Sequence, residues 1–268
     1  MSQPLRMTLQ AVLLTVCTAL CWPAMAEQVV NVGGADFPPY VLKAEQANPT
    51  GLLPELLAAL NQLQGDYRFV LLPTAVARRF RDFEQGRIDM AVFENPDWGW
   101  QGIAGTRIDM GLEDAEIFVA RAEPGRGQDY FETLKGKRLA LFNGYHYGFA
   151  DFNNEQEFLT QQFNAVLTYS HDSNLLMLLR GRADIALITR SYLGAYLEQH
   201  PEYAGKLLAS QRVDQVYRHY ALLRPQAPIS ADQFRRLFQQ LRENGKLEQI
   251  FGRYQIQVKP AVAASSAS

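Results

Sequence analysis

Cysteine is nearly absent from this chain: there are two, Cys17 and Cys21, and none from Glu27 onward. Disulfides and thiolate metal sites are therefore excluded beyond the amino-terminal segment, and the domain must hold together by burial. No run of Lys or Arg occurs, and the formal net charge is −2, which argues against a nucleic-acid partner. After the amino-terminal segment, no apolar stretch is long enough to span a bilayer.

The amino terminus has its own pattern. Arg6 supplies a positive flank, Leu9 to Leu20 is a short apolar run, and Ala24-Met25-Ala26 is a small-x-small cleavage site. Residues 1–26 read as a secretory signal peptide, with Glu27 as the mature start. Val16 and Leu20 precede the two cysteines where lipidation would want a small residue, so a lipoprotein is not expected. The expected product is a periplasmic monomer that does not insert in the membrane after cleavage. Its length suits one large domain or two ordinary lobes.

The rest of the chain is organised around a repeat. Gly181-Arg182-Ala183-Asp184 opens the β-prone stretch Ile185-Ala186-Leu187-Ile188-Thr189-Arg190; Gly86-Arg87-Ile88-Asp89 opens Met90-Ala91-Val92-Phe93-Glu94-Asn95. Each copy follows an apolar helical pattern, stops at glycine and enters a strand, which is half of an α/β unit. Side chains just past such strands sit where open α/β sheets bind ligands. Two copies predict two similar lobes facing one cleft, with Arg190 at its edge.

In chain order the pattern is β-α-β-α-β from Gln28 to Phe93, a parallel sheet with right-handed crossovers. Strands are predicted at 115–120, 138–142, 166–169 and 217–224, with helices at 155–163, 175–180 (capped by Ser173), 192–198 and after the Ser230/Gln233 capping box. Four loops carry candidate chemistry. In Asp36-Phe37-Pro38-Pro39-Tyr40 the prolines stiffen the chain, so Phe37 and Tyr40 either meet a ligand or cap the core. Glu94-Asn95-Pro96-Asp97-Trp98-Gly99-Trp100 sets Glu94 and Asp97 beside indoles, a combination suited to a cation; the alternative is a surface loop with one Trp tucked inside. Asn143-Gly144-Tyr145-His146-Tyr147-Gly148 offers backbone N–H groups, Asn143 and His146 for hydrogen bonds, and Tyr145 for stacking. His146 has no metal-ligand company. Arg190 either forks an anion or pairs with Glu94 or Asp97 across the cleft. No metal or cofactor site is expected.

Six motifs, in order, are Phe37-Pro38-Pro39-Tyr40, Gly51-Leu52-Leu53-Pro54-Glu55-Leu56, Gly86-Arg87-Ile88-Asp89, Leu134-Lys135-Gly136-Lys137, Gly181-Arg182-Ala183-Asp184 and Glu243-Asn244-Gly245-Lys246-Leu247-Glu248-Gln249-Ile250-Phe251. In these the chain resembles the family 3 solute-binding proteins, the periplasmic receptors of polar amino-acid importers. The resemblance implies two α/β lobes, each a mostly parallel sheet flanked by helices, joined by two hinge strands and closing over a ligand. Lobe I would hold 27–111 and 217–258, lobe II 112–216, and 259–268 would be a disordered tail.

It further implies a non-catalytic receptor that delivers a small-molecule ligand to an ABC-type permease or a sensor. Amino-acid binders of this family carry an Arg after the first repeat strand and an Asp after the second. Here those places fall near Trp100 or Gln101 and on Arg190. A buried contact of reversed charge costs several kcal/mol, so a standard α-amino acid is not the expected ligand. The alternatives are an enzyme like the cyclohexadienyl dehydratases of this fold, and a protein-interaction module that no longer traps ligand.

Overall fold

The computed structural model describes residues 27–260; the expected signal peptide and residues 261–268 of the expected tail lie outside them. The elements run β1 (Gln28–Gly34), α1 (Leu52–Leu63), β2 (Tyr67–Pro73), α2 (Arg79–Glu84), β3 (Met90–Glu94), β4 (Thr106–Arg121) and β5 (Leu139–Phe142). They continue α3 (Gln156–Phe163), β6 (Ala165–Thr168), α4 (His171–Leu179), β7 (Ile185–Thr189), α5 (Arg190–Gln199), β8 (Leu207–Leu223), α6 (Ala231–Glu243), α7 (Lys246–Phe251) and β9 (Gln257–Val258).

The strands form one path, β2-β1-β3-β8-β4-β7-β5-β6, with β9 added to β4. That path is one pattern used twice. In half I, parallel β2-β1-β3 is closed by antiparallel β8. In half II, parallel β6-β5-β7 is closed by antiparallel β4. The two long strands, 16 and 17 residues, pair with each other and run through both halves. The expected lobe boundaries at 111/112 and 216/217 fall inside them.

Each half buries its own apolar face. Leu53, Leu56 and Leu60 of α1 pack with Phe234 and Phe238 of α6 and Ile250 of α7 in half I. Leu175 and Leu178 of α4 pack with Ile117, Ile188 and Tyr192 in half II. A third cluster bridges the halves, with Trp98 and Trp100 from one side meeting Phe118, Tyr145 and Leu187 from the other.

The repeat holds hydrogen bond for hydrogen bond at an offset of 95 residues, Gly86 to Gly181. Arg87 N and Ile88 N donate to Asp82 O, as Arg182 N and Ala183 N donate to Met177 O. Gly86 and Gly181 have φ of 72° and 66°, the left-handed turn that lets a helix end while its last carbonyls stay bonded. Asp89 and Asp184 then accept the backbone N–H of the neighbouring first strand, from Asn31 and Arg138, each at 2.8 Å. Arg224 pairs with Asp89 and Arg138 with Asp184. The repeated Gly-Arg-x-Asp thus stops a helix and staples its strand to the sheet.

Several boundaries differ from expectation. β4 begins at Thr106 and β8 at Leu207, well before the apolar runs at 115 and 217. Their polar early residues, such as Asp109, Glu113 and Gln215, are held by pairing to the partner strand rather than by hydrophobicity. α2 starts at Arg79, four residues late. The cap of α4 is Ser170, whose Oγ accepts Ser173 N at 3.0 Å, and Ser173, the expected cap, lies within the helix. The Ser230/Gln233 capping box is present on α6. Lys259 and Pro260 are not part of a loose tail: Lys259 Nζ meets Glu113 at 2.6 Å, and Pro260 O accepts from Arg218.

Candidate ligand cleft

Where the halves meet, a cavity of about 100 Å³ lies among Phe37, Tyr40, Arg79, Glu94, Trp98, Tyr145, His146, Tyr217 and His219. One water needs roughly 10–15 Å³ of such space. The cavity therefore has room for several waters or a small solute.

Three loops deliver its walls. Phe37 and Val41 bond to each other around the two prolines, a tight turn that aims Phe37 across the cleft. The ring lies parallel to Tyr145 at 5.5 Å between centroids and 9° between planes. In the loop after β3, Asn95 Oδ1 accepts Asp97 N and Asn95 O accepts Trp98 N. That turn leaves Asp97 exposed and turns Trp98 inward, against Tyr145 at 5.4 Å and Tyr217 at 5.0 Å. In the loop after β5, Gln215 Nε2 bonds His146 O and Phe142 N bonds the Tyr147 hydroxyl, which fixes the two rings around His146.

The charged side chains on the cavity wall, both from half I, are paired. Arg79 Nε meets Glu94 Oε1 at 2.8 Å with both side chains about nine-tenths buried, and Trp100 Nε1 donates to Glu94 Oε2 at 2.8 Å. Arg79 also donates to Val76 O and stacks over Phe80. Glu94 is thus bridged within its own half, and the expected Arg190–Glu94 or Arg190–Asp97 pair is not formed. Burial and the nearby Arg79 charge push His146 down to about 4.

A second network crosses the junction. The Tyr40 hydroxyl donates to Asp114 Oδ2 at 2.7 Å and lies 2.8 Å from His219 Nε2. Ser191 Oγ donates to the same Asp114 oxygen at 2.6 Å, and Ala115 N to the other at 2.7 Å. With Tyr40 donating to Asp114, His219 must donate through Nε2–H, which sets its tautomer. Burial pushes His219 down to about 3 and raises Asp114 against its hydrogen bonds. One carboxylate thereby joins the Phe37–Tyr40 loop, β4, β8 and the start of α5.

Of the sequence candidates, Phe37, Tyr40, Glu94, Trp98, Tyr145 and His146 come together at the cavity, while Asp97, Asn143 and Arg190 are not on its wall. Arg190 is the first residue of α5 and half-buried, with no ion pair or hydrogen bond from its side chain among the described residues. Thr189 caps that helix by accepting Tyr192 N, and α5 carries Arg190 away from the cavity. Asn143 lends its backbone N–H to Thr168 O.

Arg79, Asp114, Glu116, Tyr217 and His219 were not among the candidates. A two-residue alternation was the available signal: Asp114 and Glu116 share one face of β4, and Tyr217 and His219 one face of β8. In register, Asp114 lies opposite Tyr217, and Glu116 opposite Gln215.

No protein-family model and no curated protein sequence matches the chain. Solved structures do. The substrate-binding protein of an amino-acid ABC transporter matches with a TM-score of 0.61 at 14% identity, over 84% of this chain and 98% of that one. A histidine kinase sensor domain similar to periplasmic binding proteins gives 0.63 at 20%, over 87% and 99%. An ancestral amino-acid-binding protein, described as a precursor of cyclohexadienyl dehydratase, gives 0.62 at 13%, over 84% and 95%. At these identities the likeness is one of fold, and the chain has the two-lobed α/β fold of the periplasmic binding proteins.

Proposed function

We propose that the chain is a non-catalytic periplasmic receptor that closes two lobes over a small polar solute and passes it, or the signal of its binding, to an ABC-type permease or a sensor. Lobe I is 27–111 with 217–258, lobe II is 112–216, and residues 1–26 are the export signal. The observation that carries this reading is the cavity at the junction, walled from both halves by Phe37 and Trp98 on one side and Tyr145 and His146 on the other. Receptors of this kind need contacts that exist only when the lobes are together, and the Phe37–Tyr145 stack is such a contact. Sandwiching a flat group between two rings needs roughly 7 Å, twice a van der Waals contact, so a small opening of the 5.5 Å stack admits one.

A thermal-shift screen of the purified protein tests it. A solute at one hundred times its dissociation constant adds about 2.7 kcal/mol. Small-angle scattering should show the particle more compact with that solute than without it. A screen in which no small solute shifts the transition would reject the receptor and favour a protein-interaction module.

One observation favours the dehydratase-like alternative. A general acid must be held protonated, and burial, reinforced by Asp214 and Asp114, holds Glu116 well above the carboxylate range. Glu116 is not on the cavity wall, which weighs against that role. Turnover of a prephenate-like cyclohexadienyl acid would establish it.

A further inference from the structure

We propose, building on the receptor reading, that the solute is an arylalkylamine: a neutral ring with a short arm ending in an ammonium, the ring held in the cavity and the ammonium held at its mouth by Asp97, Asp151 and His146. The mouth is a groove of about 420 Å³ among Asp97, Gly99, Gln101, His146, Asp151 and Phe152. Like the cavity, it is walled from both halves, by the segment between β3 and β4 on one side and the segment between β5 and α3 on the other. His146 lies on the wall of both spaces, so the two meet there.

The cavity suits the neutral part. Its charged side chains, Arg79 and Glu94, neutralise each other at 2.8 Å, and burial keeps His146 and His219 uncharged at neutral pH. A charged group inside would meet no free countercharge, and an unpaired buried charge is strongly unfavourable. Phe37, Trp98, Tyr145 and Tyr217 supply aromatic surface instead. At roughly 10–15 Å³ for each water-sized atom, the cavity of about 100 Å³ holds on the order of seven to ten heavy atoms. That is one six-membered ring with a short arm.

The mouth offers the opposite chemistry. Asp97 and Asp151 are exposed on its two sides, and neither carboxylate has an ion pair among the described residues. His146 points to a guest independently of them. It is only 7% exposed, and neither ring nitrogen has a hydrogen-bond partner among the described residues, although its carbonyl accepts from Gln215. Gly99 stands beside it: an added Cβ there would lie 3.6 Å from His146 Nε2, so glycine leaves that nitrogen uncovered toward the groove. A neutral imidazole has one bare acceptor nitrogen and a carboxylate only accepts, whereas an ammonium only donates. Phe152, 37% exposed on the same wall, adds an aromatic ring beside the cation.

Among the described residues no three His, Cys, Asp or Glu side chains are gathered closely enough to hold a metal ion, and the cation that fits is an organic one. An α-amino acid with the same ring fits poorly, because the carboxylate beside its ammonium would face Asp97 and Asp151 and be repelled. An anion on the same ring is rejected for the same reason.

Calorimetric titration of the purified protein with 2-phenylethylamine, 2-phenylethanol, phenylacetate and phenylalanine at pH 7 tests this. The amine should bind about tenfold more tightly than the alcohol and about 100-fold more tightly than phenylacetate or phenylalanine. Asp97→Asn combined with Asp151→Asn should weaken the amine about tenfold, the scale of two partly exposed ion pairs, and leave the alcohol within about twofold. On the unmodified chain, raising salt from about 20 to about 500 mM should weaken the amine severalfold and leave the alcohol unchanged, because exposed charges are screened. The salt series does not depend on the double variant folding. Phenylacetate, phenylalanine or the alcohol binding as tightly as the amine, undiminished amine affinity in the folded double variant, or amine binding indifferent to salt would overturn the assignment and leave the receptor reading standing. A thermal shift with glucose or succinate but with no ring-bearing solute would do the same. No response to any of these solutes would remove both.

Discussion

Glu94 and Thr189 occupy the same place in the two halves, each the last residue of its repeat strand. In the preceding helices, Arg79 corresponds in sequence position to Asn174. Half I fills this pair with a buried ion pair and continues into a loop that turns Trp98 inward. Half II fills it with neutral groups, Asn174 accepting from Thr168 and Thr189 capping α5. Identical backbone hydrogen bonds lead up to both ends. One α/β unit can therefore be built twice and still serve the cleft in one copy and the helix layer in the other, because the outcome rests on side chains beyond the strand.

The comparison can be broken most severely at Glu94. Glu94→Ala leaves Arg79 buried without its countercharge and should cost about 3–5 kcal/mol, read as the shift in a urea-unfolding midpoint; a loss below 1 kcal/mol would mean the pair is solvated. His171 in α4 is the next test. It is buried against Phe37 and Phe142 with neither nitrogen paired among the described residues, and burial depresses it from 6.5 to about 3. The unfolded chain takes up a proton below pH 6.5 that the folded chain refuses, so this contribution is complete above 6.5 and is lost on acidification toward 3. The slope is about 1.4 kcal/mol per pH unit. His219 has the same sign, and Asp114 and Glu116 the opposite one, so the measurement is a difference. Between pH 6.5 and 5, the stability of His171→Leu should fall by about 2 kcal/mol less than that of the wild type.

Smaller effects sharpen the contrast. Thr189→Ala, the counterpart of Glu94→Ala, removes a helix cap and a 3.3 Å contact with Ser191 Oγ and should cost about 1 kcal/mol in the same unfolding series. Arg190→Ala should change stability by less than about 0.5 kcal/mol and leave solute-induced thermal shifts as they are. A large loss of solute response in that variant would return Arg190 to the cleft.

Much of the fold was legible because it is written locally. Gly86 and Gly181 end helices, Ser230 with Gln233 starts one, and the apolar strands between repeat and loop mark parallel sheets. The aromatic loops at Phe37, Trp98 and Tyr145 stood out for the same reason, as Pro- or Gly-constrained segments between periodic ones. The charged partners did not stand out. Arg79 looked like one more polar residue of a helix, and Asp114, Glu116, Tyr217 and His219 lay in or beside strands whose polar starts masked their extent. Arg190 drew attention through its place after the repeat, yet the cap at Thr189 turns the chain into a helix there.

The sequence by itself determined the repeated helix–glycine–strand unit, its count of two and the loops that carry the rings. Caps, turns and alternation act over a few residues, so their information is contiguous. Only the tertiary structure decided the charge pairing, that Glu94 goes to Arg79, that Asp114 gathers Tyr40 and Ser191, and that His219 meets the Tyr40 hydroxyl. These contacts span up to 179 positions along the chain. They exist because β4 and β8 lie side by side in one register, and hydrogen bonds and buried charges respond to distance in space rather than in sequence.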